Sequence, residues 1–210
     1  MFQLTVISDL IRIPPHLFNL PTEASVLQEL NQKYANKVIH KLGLVISIWD
    51  ILSIGDGLLK PGDGAVFVNV KCRLVVFKPF VGEVLTGYIE SCTSEGIKVN
   101  MDFFNDIWIP KRFMFQDSYF SEDENSWIWK MDEENKLYLD INEKINFRVE
   151  EEVFCDVKPK GPNNSETPQD TNKEDAKDGE VEQPKKDKRP PYTLIASCQT
   201  DGMGCVSWWE

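Results

Sequence analysis

Between Ala65 and Phe77 the chain reads AVFVNVKCRLVVF, with Val66, Val68, Val70, Cys72, Leu74 and Val76 at every second position and Asn69, Lys71 and Arg73 between them. A period of two sends alternate side chains to opposite faces of an extended backbone, so this segment is a half-buried strand with one face on a core. LVISIWDIL after Gly43, rich in β-branched and aromatic residues, reads as a second strand, and residues 2–7 as a third. From Pro21 to Val38 the period changes. Leu27, Leu30, Tyr34 and Val38 are spaced for one face of a helix, and Ser25 with Gln28 resembles a capping box near its start. The first 80 residues therefore predict a three-stranded sheet carrying one helix, with SIGDGLLKPGDG as a turn-rich loop.

Pro79 ends the alternating strand, and from Val81 the chain breaks into short strands: VGEVLTGYIESC, EGIKVNM, DIWIP and a longer one from Ile141. Several short strands at close, regular spacing predict a small closed barrel over 81–210. In SEDENSWIWKMDEENKLYLD, Ser121 and Glu124 resemble a capping box, and the segment reads as mixed helix and loop. Residues 161–190 hold Ala176 and Val181 as their only apolar side chains, too little to offset roughly 1–2 kcal/mol of backbone ordering entropy per residue. They predict a long disordered insertion. YTLIASCQTDGMGCVSWWE then returns to close the barrel, with a turn at Asp201-Gly202 and two tryptophans expected to leave water.

A length of 210 residues suits two domains of unequal size, here 1–80 and 81–210 in an α+β arrangement. The longest apolar run, Leu42 to Trp49, is far short of the ~20 residues of a membrane span. MFQLTVISDLIR has neither a basic start nor a small-residue cleavage site, which predicts an intracellular chain without a secretory signal. Cys72, Cys92, Cys155, Cys198 and Cys205 are odd in number and contain no CxxC, so they read as reduced, small hydrophobes.

The net charge of −11 is unevenly placed. Residues 1–79 carry 8 basic and 6 acidic side chains, whereas 80–157 carry 7 basic and 18 acidic. A protein held to nucleic acid mainly through phosphates needs the opposite sign, so any RNA binding has to be local and weak. Catalytic signatures are equally sparse. His16 and His40 do not support a nucleophile triad, GDG at 55–57 and PGDG at 61–64 lack the Lys-Ser/Thr of a phosphate loop, and KCRLVVF is no RNP1 motif. Runs such as Glu150-Glu151-Glu152 alternate sides on a strand and do not converge on one ion. The expectation is a non-enzyme without cofactor or metal.

VGEVLTGYIESCTSEGIKV followed by DIWIPKRFM resembles the opening of an S1-type OB barrel. With FQLTVISDLIRIPP, KYANKVI, GLVISIWDIL, LKPGDG and VVFKPFVGEVLTG, the chain resembles the RNA polymerase stalk family, meaning the archaeal E-prime protein and its eukaryotic counterparts. SCQTDGMGCVSWWE and the hydrophilic insertion before it are most similar to the RNA polymerase III branch. The resemblance implies a truncated RNP-like N-terminal domain, an S1/OB barrel and a nuclear, non-catalytic subunit serving transcription initiation. It implies a heterodimer with a smaller helical stalk subunit, docked on the polymerase III core.

The loop Gly55 to Gly64 matches the family's tip, and Leu58, Leu59, Lys60 and Pro61 are the candidate polymerase-docking residues. S1 domains that bind RNA strongly carry aromatics where this chain has Glu95 and Lys98, and a histidine where it has Ile109. Candidate contacts to single-stranded RNA are Lys98, Trp108, Lys111, Arg112 and Arg148, implying weak binding. A free-standing S1 protein of translation or RNA decay, and a nuclease with convergent carboxylates, are the alternative readings.

Overall fold

The computed structural model describes residues 1–130, 135–155 and 190–209. Its N-terminal part is an antiparallel sheet of β1 (Phe2–Ile13), β2 (Lys37–Ile39), β3 (Gly43–Leu59) and β4 (Val66–Phe77), ordered β1-β4-β3-β2, with helix α1 (Thr22–Tyr34) between β1 and β2. The alternation in β4 is realised: Val68, Val70, Cys72, Leu74 and Val76 are buried in one core with Val26 and Leu30 of α1. Asp9 of β1 ties the helix end to the sheet by accepting from Lys33 Nζ and from the Tyr34 hydroxyl. Burial pushes the Asp9 carboxyl up, and these two donors outweigh it and hold it below its ordinary value.

The helix and the tip differ from the sequence expectation. The helix begins behind Pro21, so Ser25 lies inside its first turns and donates to Leu17 O and Pro21 O instead of capping. Its buried face holds Ser25, Val26 and Leu30, while Leu27 stays exposed. Val38, expected on the helix, sits in the fourth strand β2, since Asn36 and Lys41 take positive φ and turn the chain back at either side. β3 continues through Gly55 and Gly57 to Leu59, so most of the expected loop is strand. It does so by slipping its register against β4 at four places. At three of them the extra residue is Ile46, Trp49 and Leu52, which stay exposed.

The second part runs β5 (Val84–Thr93), β6 (Gly96–Met101), β7 (Phe104–Pro110), β8 (Ser118–Ser121), β9 (Ser126–Lys130), β10 (Lys136–Leu139), β11 (Lys144–Phe154), β12 (Tyr192–Ser197) and β13 (Gly204–Cys205). The order β12-β7-β6-β5-β11 closes through pairing of β11 with β12, and β12 runs parallel to β7. This is a closed five-stranded, OB-like barrel. The expected mixed helix and loop after β7 is a three-stranded sheet, β10-β9-β8, apart from residues 131–134, which lie outside the described residues. The two-residue spacing of Trp127 and Trp129 is a strand period: Trp127 is fully buried and donates its Nε1–H to Thr93 O at 2.9 Å, while half-buried Trp129 stacks on Phe115. At the C-terminal end Trp208 is half-buried, but Trp209 is 52% exposed, its indole held at the surface by a bond to Met203 O.

The segment 161–190, expected to be a disordered insertion, lies outside the described residues except for Pro190. The strands flanking it pair with one another, Phe154 opposite Tyr192 with their rings stacked 4.5 Å apart. All five cysteines are free thiols, and burial pushes Cys92 up to about 11 and Cys198 up to about 12.

One rung of the first sheet is apolar across all four strands: Phe2 lies opposite Phe77, Phe77 opposite Leu44, and Leu44 opposite Val38. Phe77 and Leu44 belong to the barrel's own hydrophobic core. The Phe77 ring meets Phe103 edge-on at 5.0 Å and Phe104 at 5.3 Å, and Phe104 meets Tyr192 at 5.4 Å. Gly43, at φ +113°, lets β3 begin this close, because a Cβ there would stand 2.4 Å from Phe77 O. Phe77→Ala is expected to cost about 3–5 kcal/mol, as for other buried phenylalanines, and to split one chemical-denaturation transition into two, read by tryptophan fluorescence and far-UV circular dichroism together. A single unshifted transition would show that the two parts are energetically independent.

Candidate functional site

The outward face of β6 and β7 brings together two of the predicted RNA-contacting residues. Lys98 lies directly opposite Trp108, and two rungs further along the ladder Gly96 lies opposite Pro110. Gly96 makes room for the indole: a Cβ there would stand 3.0 Å from Trp108 Cζ2 and 2.2 Å from Ile109 O. On its other side Trp108 neighbours Ile195 of β12, leaving the indole half-buried across three strands. Ile109 is fully buried, so the position matched to the family's histidine points into the core. The adjacent Trp108 is the aromatic residue on the face.

Lys111 and Arg112 follow at the end of β7 in a short 3₁₀ turn, both exposed. Lys111 N–H donates to Glu95 O at 2.8 Å, which draws the β5–β6 turn alongside. The Arg112 guanidinium lies 4.8 Å over the Phe113 ring, and Arg112 O accepts from Gln199 Nε2 at 2.7 Å. Arg148 is elsewhere. It stands on β11 opposite Val84 and Ser197 and donates to Glu150 at 2.8 Å, so it does not join the β6–β7 group.

Two acids that residue type alone does not single out decide the local field. Glu90 of β5 takes Lys98 Nζ at 2.9 Å, and half-buried Asp106 lies on the β7 face near both. Burial pushes the Asp106 carboxyl up, Lys98 opposes this and Glu90 adds to it. Lys98 thus has a carboxylate on either side, in keeping with the acidic excess of this half of the chain. Outward positions on β5 alternate as Thr86, Tyr88 and Glu90, so the strand period is the signal that marks Glu90 as a face residue.

At the far end of the first sheet, Leu58 and Leu59 are 64% and 71% exposed although both are in strand, opposite Phe67 and Val66. With Lys60, Pro61, Leu10 and Phe67 they line a groove of about 390 Å³. The turn beside them is fixed by Arg12, which donates to both carboxylate oxygens of Asp63 at 2.6 and 3.1 Å.

The barrel and its C-terminal strands, residues 83–209, match the family described as RNA polymerase III subunit Rpc25. The chain belongs to this family. Residues 8–64 match the SHS2 domain found in the N terminus of Rpb7p/Rpc25p/MJ0397, which covers the second half of β1, the helix, β2 and β3. DNA-directed RNA polymerase III subunit RPC8 of Saccharomyces cerevisiae is 52% identical over 212 residues, spanning 100% of both chains. The RPC8 of Bos taurus is 41% identical over 212 residues, 100% of this chain and 98% of the relative. Subunit Rpo7 of Saccharolobus solfataricus is 35% identical over 101 residues, 48% of this chain and 56% of the relative.

In this Rpc25-family barrel the half-buried Asp106 has a native pKa above its unfolded value, so the unfolded chain releases that proton first and stability falls as pH rises through the interval between the two. Asp106→Asn removes that loss. Its stability should match the parent below the ordinary carboxylate pKa of ~3.9 and exceed it above the native pKa, as urea denaturation from about pH 3.5 to 7 would reveal. A variant less stable at every pH would mean that Asp106 gains more from Lys98 than burial costs it.

Proposed function

We propose that the chain is a non-catalytic stalk subunit of DNA-directed RNA polymerase III in the nucleus, and that it pairs with a smaller helical subunit, docks on the polymerase core, supports initiation and contacts emerging RNA. The observation that carries the reading is end-to-end identity of 52% with a polymerase III subunit over an identical span. Division of the chain at 80/81 belongs to it, with the sheet for docking and partner contact and the barrel for RNA. The exposed stripe Ile46, Trp49 and Leu52 lies on the bulged edge of β3, unpaired beyond β2 among the described residues. It supports a partner, because contiguous exposed apolar side chains at a sheet edge favour cover by another chain. Affinity purification of the tagged chain from its own cells tests the whole. Polymerase III subunits should come with it; recovery with ribosomes or alone would favour a free-standing S1 protein.

Docking is assigned to Leu58, Leu59, Lys60 and Pro61, whose exposure at a clamped turn supports a contact rather than a core role. Leu58→Ser with Leu59→Ser should reduce recovery of the polymerase core by about tenfold or more, about 1.4 kcal/mol, and leave the melting temperature and the heterodimer unchanged. Joint loss of stability and both associations would count against it.

RNA contact is assigned to Lys98, Trp108, Lys111 and Arg112, with Arg148 as an outlying cation on the opposite side of β5. If about two to four phosphates are met, the slope of log K against log salt for single strands is about −1.4 to −2.8. Changing Lys98, Lys111 and Arg112 to Glu should abolish binding of labelled oligouridine in an anisotropy titration while the heterodimer persists. Retained binding, with loss on changing Lys71, Arg73 and Lys78 instead, would move the site to the first sheet.

A further inference from the structure

Below the barrel's end lies a cleft of about 200 Å³ that none of the functions above uses. Phe115, Gln116, Trp129, Gln199, Asp201 and Trp209 line it. One wall is preformed: Phe115 and Trp129 stack at 4.3 Å and 16°, and Trp208 leans on both from behind at 5.8 and 5.7 Å. Trp209 also lines the cleft, half in water yet oriented by its bond to Met203 O at 3.1 Å. A large aromatic ring fixed in place and left exposed is a stacking platform, and the groups beside it are hydrogen-bonding rather than apolar.

Their chemistry favours one class of ligand. Gln199 spends one Nε2–H on Arg112 O and keeps its second N–H and its carbonyl oxygen. Asp201 offers two acceptor oxygens side by side, while Gln116 and Thr200 can each donate or accept. The paired oxygens of Asp201, with an amide or hydroxyl donor beside them, complement an edge carrying two adjacent N–H groups and one carbonyl, the Watson–Crick edge of guanine. The bond from Gln199 ties it to the backbone of Arg112, whose guanidinium lies over the Phe113 ring. The small volume suits one heterocycle, not an extended peptide.

We propose that this cleft binds one unpaired nucleobase of single-stranded RNA, with guanine preferred, by stacking on Trp209 and hydrogen bonding to Asp201, Gln199 and Gln116; the RNA as source of the base rests on the barrel's reading as an RNA-contacting module. The cleft therefore adds base selection to a barrel whose phosphate contacts are few.

The test uses the full chain and single nucleotides, so that it does not depend on the β6–β7 face. Guanosine and uridine 5′-monophosphates are titrated while the indole N–H signal of Trp209 is followed by NMR. Saturable shifts are expected with guanosine monophosphate, at least about fivefold tighter than with uridine monophosphate. Asp201→Asn, an exposed turn position, should erase that difference while leaving a shift from stacking. Followed through the indole N–H of Trp129, which lines the same cleft, Trp209→Phe should keep binding, and Trp209→Ala should weaken it about fivefold or more. Absence of saturable shifts, equal affinity for both nucleotides, or a cleft that answers only to tetramethylammonium, as an aromatic cage for methylated lysine does, overturns the proposal. Saturation by guanosine monophosphate in a chain that binds no oligouridine would retire the β6–β7 face and leave the cleft standing.

Discussion

Phe77 sits where three demands meet. It is the last residue of β4, it is fully buried, and its ring belongs to the barrel's core while its backbone pairs with β1 and β3 of the sheet. Its rung across the sheet, with Phe2, Leu44 and Val38, is the end that the sheet presents to the barrel. From Phe77 back to Val66 the β3–β4 hairpin then extends roughly 35 Å at the usual rise per residue. A lever of that length positions its tip only if its root is fixed. The aromatic contacts to Phe103, Phe104 and through them Tyr192 give the root dispersion contacts in several directions, which resist rotation better than one flat apolar patch.

Electrostatics sets a limit on what the barrel can hold. Lys98 is flanked by Glu90 and Asp106, so a phosphate approaching it has to compete with a carboxylate already at 2.9 Å. Recognition built on backbone charge is disfavoured under those conditions, and what remains available is stacking and edge hydrogen bonding, which do not need a positive field. Trp108 lying across Gly96 and Trp209 facing the cleft are surfaces of that kind. Under the RNA contact we propose, an acidic barrel with exposed aromatics suits RNA brought to it at high local concentration better than RNA captured from solution.

The strand period makes much of the fold legible. β4 and the barrel strands alternate as their residues say, and the resemblance carried by VGEVLTGYIESC and LKPGDG agrees with the family match. What escapes sequence reading are the places where local signals compete with tertiary context. Ser25 and Gln28 have the pattern of a helix start, but the helix begins directly behind Pro21, its N-cap with ψ 140°, and Ser25, already inside the first turn, bonds back to Leu17 and Pro21. Gly55 and Gly57 read as loop because glycine marks turns, yet a long hairpin with successive bulges absorbs them. The face of the barrel is half legible: residue type is enough to single out Lys98 and Trp108, whereas their being cross-strand neighbours, and Ile109 facing inward, depend on register.

The bulges of β3 show how register can create function that alternation conceals. In an unbroken strand Ile46 and Trp49, three apart, would point to opposite faces. Each register slip against β4 resets the alternation, so Ile46, Trp49 and Leu52 recur at a spacing of three and are all left exposed. Of the paired residues around them, Ile48 and Ile51 pack against the sheet's core, whereas Ser47, Asp50 and Ser53 are polar, and Asp50 is held by Arg73 on β4. The sheet thus keeps its ladder to β4 while sending every third side chain out of it, which generates an apolar stripe along an edge that β2 covers only from Gly43 to Val45. A second chain can meet such an edge without any rearrangement of the sheet, and the tip leucines further along the same strand stay free for a different surface.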